Sequence, residues 1–316
     1  MKHLLCYYEK PQRLKLTILF FLLALLTIPY SNSYGQDRMD EPYGSRYLNY
    51  QVNKLWSSHY GRYSDGGWVS SLYPRYIEDV NNDGMADCVA FGKPGTYVSL
   101  SNGTSFVGIT EAIDNFGTDD AWDVEKNPRF VVDINGDGYK DLLGYGMQGV
   151  YCATYNPSSS TPSFINFKLW SSEFGSLENN GFWLNAAFIR TTMDMNNDQK
   201  ADLVVFADKG VYVALSNGNG FDQATLWSST FGTKDGWNNS SYVRKLDDLN
   251  ADGRPDIIGY GQSAVYTAIN TGTAFQSAAS WTSQFSNADQ SGFYTNNAFI
   301  RTVGDVNGDK KADLVV

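Results

Sequence analysis

The sequence predicts an all-β fold, a β-propeller of four-stranded blades, and three observations carry that reading. An acidic nine-residue loop recurs five times, its starts separated by 54, 61, 54 and 57 residues; a period in this range marks a solenoid, propeller or array. Apolar, β-branched and aromatic runs of strand length flank the loops, and clusters of Gly, Asn, Ser and Asp break the chain about every 8–12 residues, as in proteins built of many short strands. No amphipathic stretch of helical period is longer than about two turns.

Each unit can be followed in order. The loops read DVNNDGMAD (79–87), DINGDGYKD (133–141), DMNNDQKAD (194–202), DLNADGRPD (248–256) and DVNGDKKAD (305–313). Ahead of each lies a strand-like run with an arginine four residues before the first Asp: Arg75, Arg129, Arg190, Arg244 and Arg301. After the first four come short apolar strands, CVAFG, LLGYG, LVVFA and IIGYG, then alternating ones such as GVYVALSNG. A fourth strand ends in Trp-Ser-Ser or a variant, at Trp170, Trp227 and Trp281, and a loop then runs to an aromatic: Trp68, Trp122, Trp183, Trp237 or Tyr294. Separate sandwich domains would need about 100 residues each, and a lone unit could not bury its own apolar faces, whereas radial packing against neighbours buries them. At the ends, residues 46–58 read as the last two strands of a blade and the stretch up to Val316 as the first two. Two arrangements satisfy this: a five-bladed ring closed by both termini, or a truncated seven-bladed ring of which five repeats are visible.

Residues 1–35 read as a signal peptide. Lys2, Lys10, Arg13 and Lys15 form a basic start, Leu16 to Ile28 an apolar run too short for a bilayer span, and Ser33-Tyr34-Gly35 a small-residue cleavage site. The propeller then occupies 36–316. The chain carries 24 basic and 34 acidic residues, net −10; loss of four basic and one acidic residue leaves 20 and 33, net −13. Such a surface excludes nucleic acid and anionic membrane as partners, since both reward positive charge, and suits an extracellular cation-binding protein with no membrane insertion after signal cleavage. Cys88 and Cys152 lie in apolar strand-like runs; they are two buried thiols or, in an oxidising compartment, a disulfide.

The loops read as calcium sites. Calcium takes six to eight hard oxygen ligands. Positions 1, 3, 5 and 9 supply side-chain oxygens and position 7 a backbone carbonyl: Asp79, Asn81, Asp83, Met85 and Asp87; Asp133, Asn135, Asp137, Tyr139 and Asp141; Asp194, Asn196, Asp198, Lys200 and Asp202; Asp248, Asn250, Asp252, Arg254 and Asp256; Asp305, Asn307, Asp309, Lys311 and Asp313. Without a cation three carboxylates so close would repel one another. An EF-hand would need Glu at position 12 and flanking helices; position 12 is Ala90, Gly144, Val205, Gly259 or Val316, and strands flank. Position 6 is expected to take a positive φ, which glycine adopts freely but Gln199 and Lys310 do not. A metal-free Asx-type turn is the competing reading of any single loop.

DxNxDGxxD loops within blades resemble FG-GAP/VCBS repeats, as in integrin α-subunit heads. The stretch DVEKNPRFVVDINGDGYKDLLGYGMQGVYCATYN (123–156) and the LWSS…FG…GW segments are most similar to secreted propeller lectins of the Psathyrella velutina type. This resemblance implies a calcium-stabilised, non-catalytic propeller binding N-acetylglucosamine-type or related sugars, on glycans or glycoproteins, in pockets between blades. An aromatic face and a hydrogen-bonding group recur once per unit, so the candidate glycan residues are Trp68, Arg75, Trp122, Arg129, Trp183, Arg190, Trp237, Arg244, Tyr294 and Arg301. Trp56, Trp170, Trp227 and Trp281, in the LWSS-type segments, read instead as core. The alternative from another class is an adhesion or scaffold propeller that binds a protein partner. An enzyme is not indicated: His3 and His59 are the only histidines, and there is no nucleophile elbow, P-loop or zinc spacing.

Overall fold

The computed structural model describes residues 55–61, 67–177, 182–184, 188–238, 242–288 and 300–316; the expected signal peptide, most of the N-terminal strand-like segment and Tyr294 lie outside them. The compact unit of residues 55–315 is all-β. Blade 1 comprises β1 (Arg75–Glu78), β2 (Asp87–Phe91), β3 (Thr96–Ser101) and β4 (Phe106–Ile113). Blade 2 comprises β5 (Arg129–Val132), β6 (Asp141–Tyr145), β7 (Val150–Tyr155) and β8 (Phe164–Ser171). Blade 3 comprises β9 (Ile189–Met193), β10 (Asp202–Phe206), β11 (Val211–Ala214) and β12 (Thr225–Ser228), and blade 4 β13 (Arg244–Asp247), β14 (Asp256–Tyr260), β15 (Val265–Ala268) and β16 (Ala279–Thr282). A fifth sheet consists of β17 (Thr302–Gly304) and β18 (Asp313–Val315). Every sheet is an antiparallel meander in chain order, and each acidic loop joins the first strand of a blade to the second.

The second strands explain why their sequence is continuously apolar instead of alternating. In β6, Leu142 packs in the core shared with blade 1 and Leu143 in the core shared with blade 3. In β10, Leu203 and Val205 face blade 2 while Val204 and Phe206 face blade 4. Both faces of a middle blade are therefore buried, and side chains that alternate along the strand must all be apolar. At about 25 cal/mol per Å² of apolar surface removed from water, these shared cores are the main force joining one blade to the next.

The Trp-Ser-Ser tryptophans stitch neighbouring blades. Trp170 packs on Phe221 and Trp227 on Phe275, and each tryptophan carbonyl accepts the N–H of the same phenylalanine. Trp56, before blade 1, does the same with Phe106. Trp170 and Trp227 are core, as expected from the sequence, whereas Trp56 and Trp281 are 41% and 46% exposed. The reading of all four as core is corrected for these two, which lack a second covering blade among the described residues. Cys88 and Cys152 are free and buried; burial pushes the Cys88 thiol up to about 11 and raises that of Cys152, so both are inert.

Candidate functional sites

The acidic loops share one geometry. In the second loop Asp133 Oδ2 accepts the N–H of Gly138 at 2.8 Å and Oδ1 that of Gly136 at 2.7 Å. Asn135 Oδ1 accepts from Asp137, and Asp137 Oδ1 from Tyr139. The chain thus winds through successive Asx turns, each oxygen-bearing side chain meeting a backbone N–H two to five residues on. Position 6 lies at positive φ in all five loops, at Gly84, Gly138, Gln199, Gly253 and Lys310. So does position 4, at Asn82, Gly136, Asn197, Ala251 and Gly308, a requirement not recognised from the sequence although Asn and Gly were the clue.

Position 9 plays a distinct part. Asp141 is fully buried; its Oδ2 accepts the Ile134 N–H at 3.2 Å and its Oδ1 the Tyr155 N–H at 2.8 Å. Asp87, Asp202 and Asp256 repeat this with Val80 and Ser101, Met195 and Ser216, and Leu249 and Asn270. This carboxylate therefore ties the loop to the far end of the third strand. Burial, the largest influence, pushes Asp141 and Asp202 up to about 7 despite those N–H bonds.

Among the described residues, no three His, Cys, Asp or Glu side chains are grouped so as to hold a metal unaided. The donor chemistry fits a hard cation once the Asn oxygen and the position 7 carbonyl are counted with the carboxylates, as calcium's ligand preferences allow; each carboxylate oxygen bonded to one N–H keeps a second lone pair. In two loops the cationic side chain at position 7 pairs within the loop. Lys200 Nζ lies 2.7 Å from Asp198 Oδ2, and Arg254 Nη2 lies 2.6 Å from Asp252 Oδ2.

Consecutive loops touch. Ala201 N–H donates to the Asp133 carbonyl and Lys140 N–H to that of Val80. A Cβ at Gly138 would lie 3.2 Å from Asn82 Nδ2, and one at Gly253 would lie 2.6 Å from Asn197 Nδ2. Where position 6 has a side chain instead, at Gln199 and Lys310, position 4 of the preceding loop is the small Gly136 or Ala251.

The repeated arginines lie between blades. Arg129, Arg190, Arg244 and Arg301 are all buried. Their guanidinium groups sit 5.2–5.7 Å from the ring centres of Phe91, Tyr145, Phe206 and Tyr260 on the preceding blade. Arg129 and Arg244 donate to the carbonyls of Phe116 and Phe231 at 2.7 Å, Arg190 to that of Phe174 at 3.4 Å, and Arg301 to Asn287 Oδ1 at 2.9 Å. Arg75 is partly buried and donates to the Trp68 carbonyl. Those phenylalanines hold φ near 65°, and the glycine after each packs against its own blade's second turn, where a Cβ would come within 2.4 Å of backbone. The sequence shows this Phe-Gly pair, but its role as the arginine's acceptor was missed, since the donor stands in a blade's first strand and the acceptor in the connection before it.

Of the loop-end aromatics, Trp68, Trp122 and Trp183 are buried and Trp237 is half-buried. Trp183 borders a cleft of about 390 Å³ between blades 2 and 3, lined also by Glu173, Phe174, Asp208, Lys209, Tyr212 and Ala224. Glu173 Oε2 accepts the Ala224 N–H at 2.9 Å, and Asp208 pairs with Lys234 at 3.1 Å, so both carboxylates are held in place. Neither Glu173 nor Asp208 was singled out from the sequence; both stand in turns outside the repeated motif. The candidates thus divide into arginines that clamp blades together and aromatics that stand at the gaps between them.

The fold is a β-propeller, and residues 248–316 match the model of the FG-GAP-like repeat family. Among solved structures, the chain is similar to an Agrocybe aegerita lectin described as specifically recognising non-reducing terminal N-acetylglucosamine, with 30% identity and a TM-score of 0.74 over 83% of this chain. The match spans 64% of that lectin's length. A segment of the Photorhabdus luminescens Tc holotoxin pore, 10% of its chain, shares the fold at 19% identity and a TM-score of 0.51 over 76% of this one. No curated protein sequence matches the chain. The resemblance read from the loop motif is borne out.

Proposed function

We propose that this protein is a secreted, calcium-stabilised and non-catalytic propeller that binds N-acetylglucosamine-type sugars, on glycans or glycoproteins, in clefts between its blades. The observation that carries the proposal is the aromatic cleft between blades 2 and 3 in a chain similar over most of its length to a lectin for terminal N-acetylglucosamine. Trp183 and Tyr212 suit the C–H face of a sugar ring. Glu173, Asp208 and Lys209 suit its hydroxyl and acetamido groups, and the volume falls in the range of small-ligand sites, about 300–1,000 Å³. The loop donors of positions 1, 3, 5, 7 and 9 would hold calcium, whose charge offsets that of the carboxylates. The signal-like N-terminus and the mature charge of −13, from 20 basic and 33 acidic residues, support export. Calorimetric titration of the mature chain with N-acetylglucosamine in calcium is expected to show saturable binding. Silence across N-acetylhexosamine, sialyl and fucosyl glycans on an array would refute the reading.

A further inference from the structure

We infer that Val205 opens the cleft between blades 2 and 3 to a sugar, by taking the seat that the loop-end tryptophan fills in the neighbouring blades. The inference rests on the glycan-binding reading above and assigns the residue that makes one gap receptive. In blades 2 and 4 the second strand ends Gly-Tyr-Gly, at 144–146 and 259–261. A Cβ at Gly144 would lie 2.4 Å from Trp122 Cζ3, and one at Gly259 would lie 2.5 Å from Trp237 Cη2. Each indole therefore rests directly on the strand backbone. Seated there, Trp122 stands edge-on to Tyr151 and Trp237 to Tyr266, both with ring centres 6.2 Å apart. They meet Phe116 and Phe231 at 43° and 44°.

Blade 3 breaks the pattern. The residue corresponding to Gly144 is Val205, fully buried, and Ala207 stands where the second glycine would be. An indole placed as Trp122 is would collide with the valine side chain, whose β-branch adds two methyl groups to a Cβ position already 2.4 Å from the ring. Trp183 accordingly meets Phe174 at a different angle, 80°, with the ring centres 4.9 Å apart. Trp183 and Tyr212, the counterparts of Trp122 and Tyr151, become two walls of the cleft. Blade 1 shows that the β-branch matters more than a lone methyl. It has Ala90 at this position, and Trp68 still stands edge-on to Tyr97, at 5.8 Å and 89°.

Two variants test this in the whole mature chain. Val205→Ala combined with Ala207→Gly recreates the blade 1 seat, where Ala90 and Gly92 stand, so Trp183 should swing in, and calorimetry should show N-acetylglucosamine binding at this cleft weakened at least tenfold. Gly144→Val should evict Trp122 and raise the number of sugars bound per chain by one. Melting curves establish that each variant is folded. Wild-type binding left unchanged in the folded Val205→Ala, Ala207→Gly double variant would overturn the inference and leave the glycan reading intact, as would an unchanged stoichiometry in folded Gly144→Val. Absence of any wild-type binding would overturn both. Should either variant fail to fold, indole N–H exchange of Trp183 in Val205→Leu decides: a bulky side chain keeps the cleft open and exchange fast, and slow exchange there counts against the idea.

Discussion

At the scale of single residues, backbone sign governs the acidic loops. Gln199 and Lys310 occupy position 6 at φ 68° and 66°, the conformation that glycine takes in the other three loops. A side chain held in the left-handed region costs about 1–2 kcal/mol, close to a tenfold change in affinity when binding needs that turn, since about 1.4 kcal/mol is one decade. Gln199→Gly is therefore expected to raise calcium affinity at its loop and Gly138→Gln to lower it. The second change also brings a side chain against Asn82. Titration calorimetry checks both, and five equivalent sites would sink the argument. The position 9 carboxylates add a pH dependence. Asp141 and Asp202 titrate at about 7 in the folded chain, above the unfolded value of about 3.9. The folded state then holds protons that the unfolded state has released, so stability is greatest at low pH and falls as pH rises through this window. In chelator, the melting temperature is expected to decline from about pH 4 to about pH 7 and then level off with respect to these groups. Calcium should flatten that slope. A profile in chelator that rises over this range would contradict the burial penalty.

At the scale of elements, the blade-to-blade clamp is made by arginine. Arg129 stacks on Phe91 of one blade, belongs to the first strand of the next, and holds the Phe116 carbonyl in the connection between them. Burial without a carboxylate partner lowers the guanidinium to about 10, still high enough to keep it charged at neutral pH. Arg129→Ala removes the ring contact and leaves a buried carbonyl without its donor and a cavity. A charged hydrogen bond alone contributes about 1.5–3 kcal/mol, so the expected loss of stability is about 2–4 kcal/mol, read from urea unfolding. N-acetylglucosamine affinity of the folded variant should be unchanged. A folded Arg129→Ala chain of full stability but lost sugar binding would return the arginine to the glycan site.

At the scale of the whole molecule, stability is shared among successive interfaces, and the loops lie along them: Ala201 N–H reaches back to Asp133, and Ala312 N–H to Asp248. A ligand that binds only the native state stabilises it by about 2.7 kcal/mol per site at roughly a hundredfold excess over Kd. Removing calcium with a chelator should therefore lower the melting temperature of the chain as a unit, not of one blade. An unchanged melting curve would mark the loops as metal-free turns.

The amino-acid pattern by itself determined the repeat, the four strands of each blade and the place of the acidic loop between the first two. It could do so because alternation and turn residues act within about ten residues of chain, and the loop motif recurs at a period visible along it. The buried tryptophans Trp170 and Trp227 were legible for the same reason: an aromatic at a fixed place in every strand has few places to go. Only the tertiary structure decided what depends on how separate strands and blades meet. It turned the arginines from candidate glycan-site residues into clamps between blades, and in the first four loops committed the last Asp to backbone amides at the end of the third strand. It also seated Trp122 and Trp237 on Gly144 and Gly259, and placed Trp183 beside a cleft in the blade that has Val205 at the corresponding position. Such contacts are fixed by how one blade's surface fills the gaps in the next, and one chain's linear order does not display that complementarity.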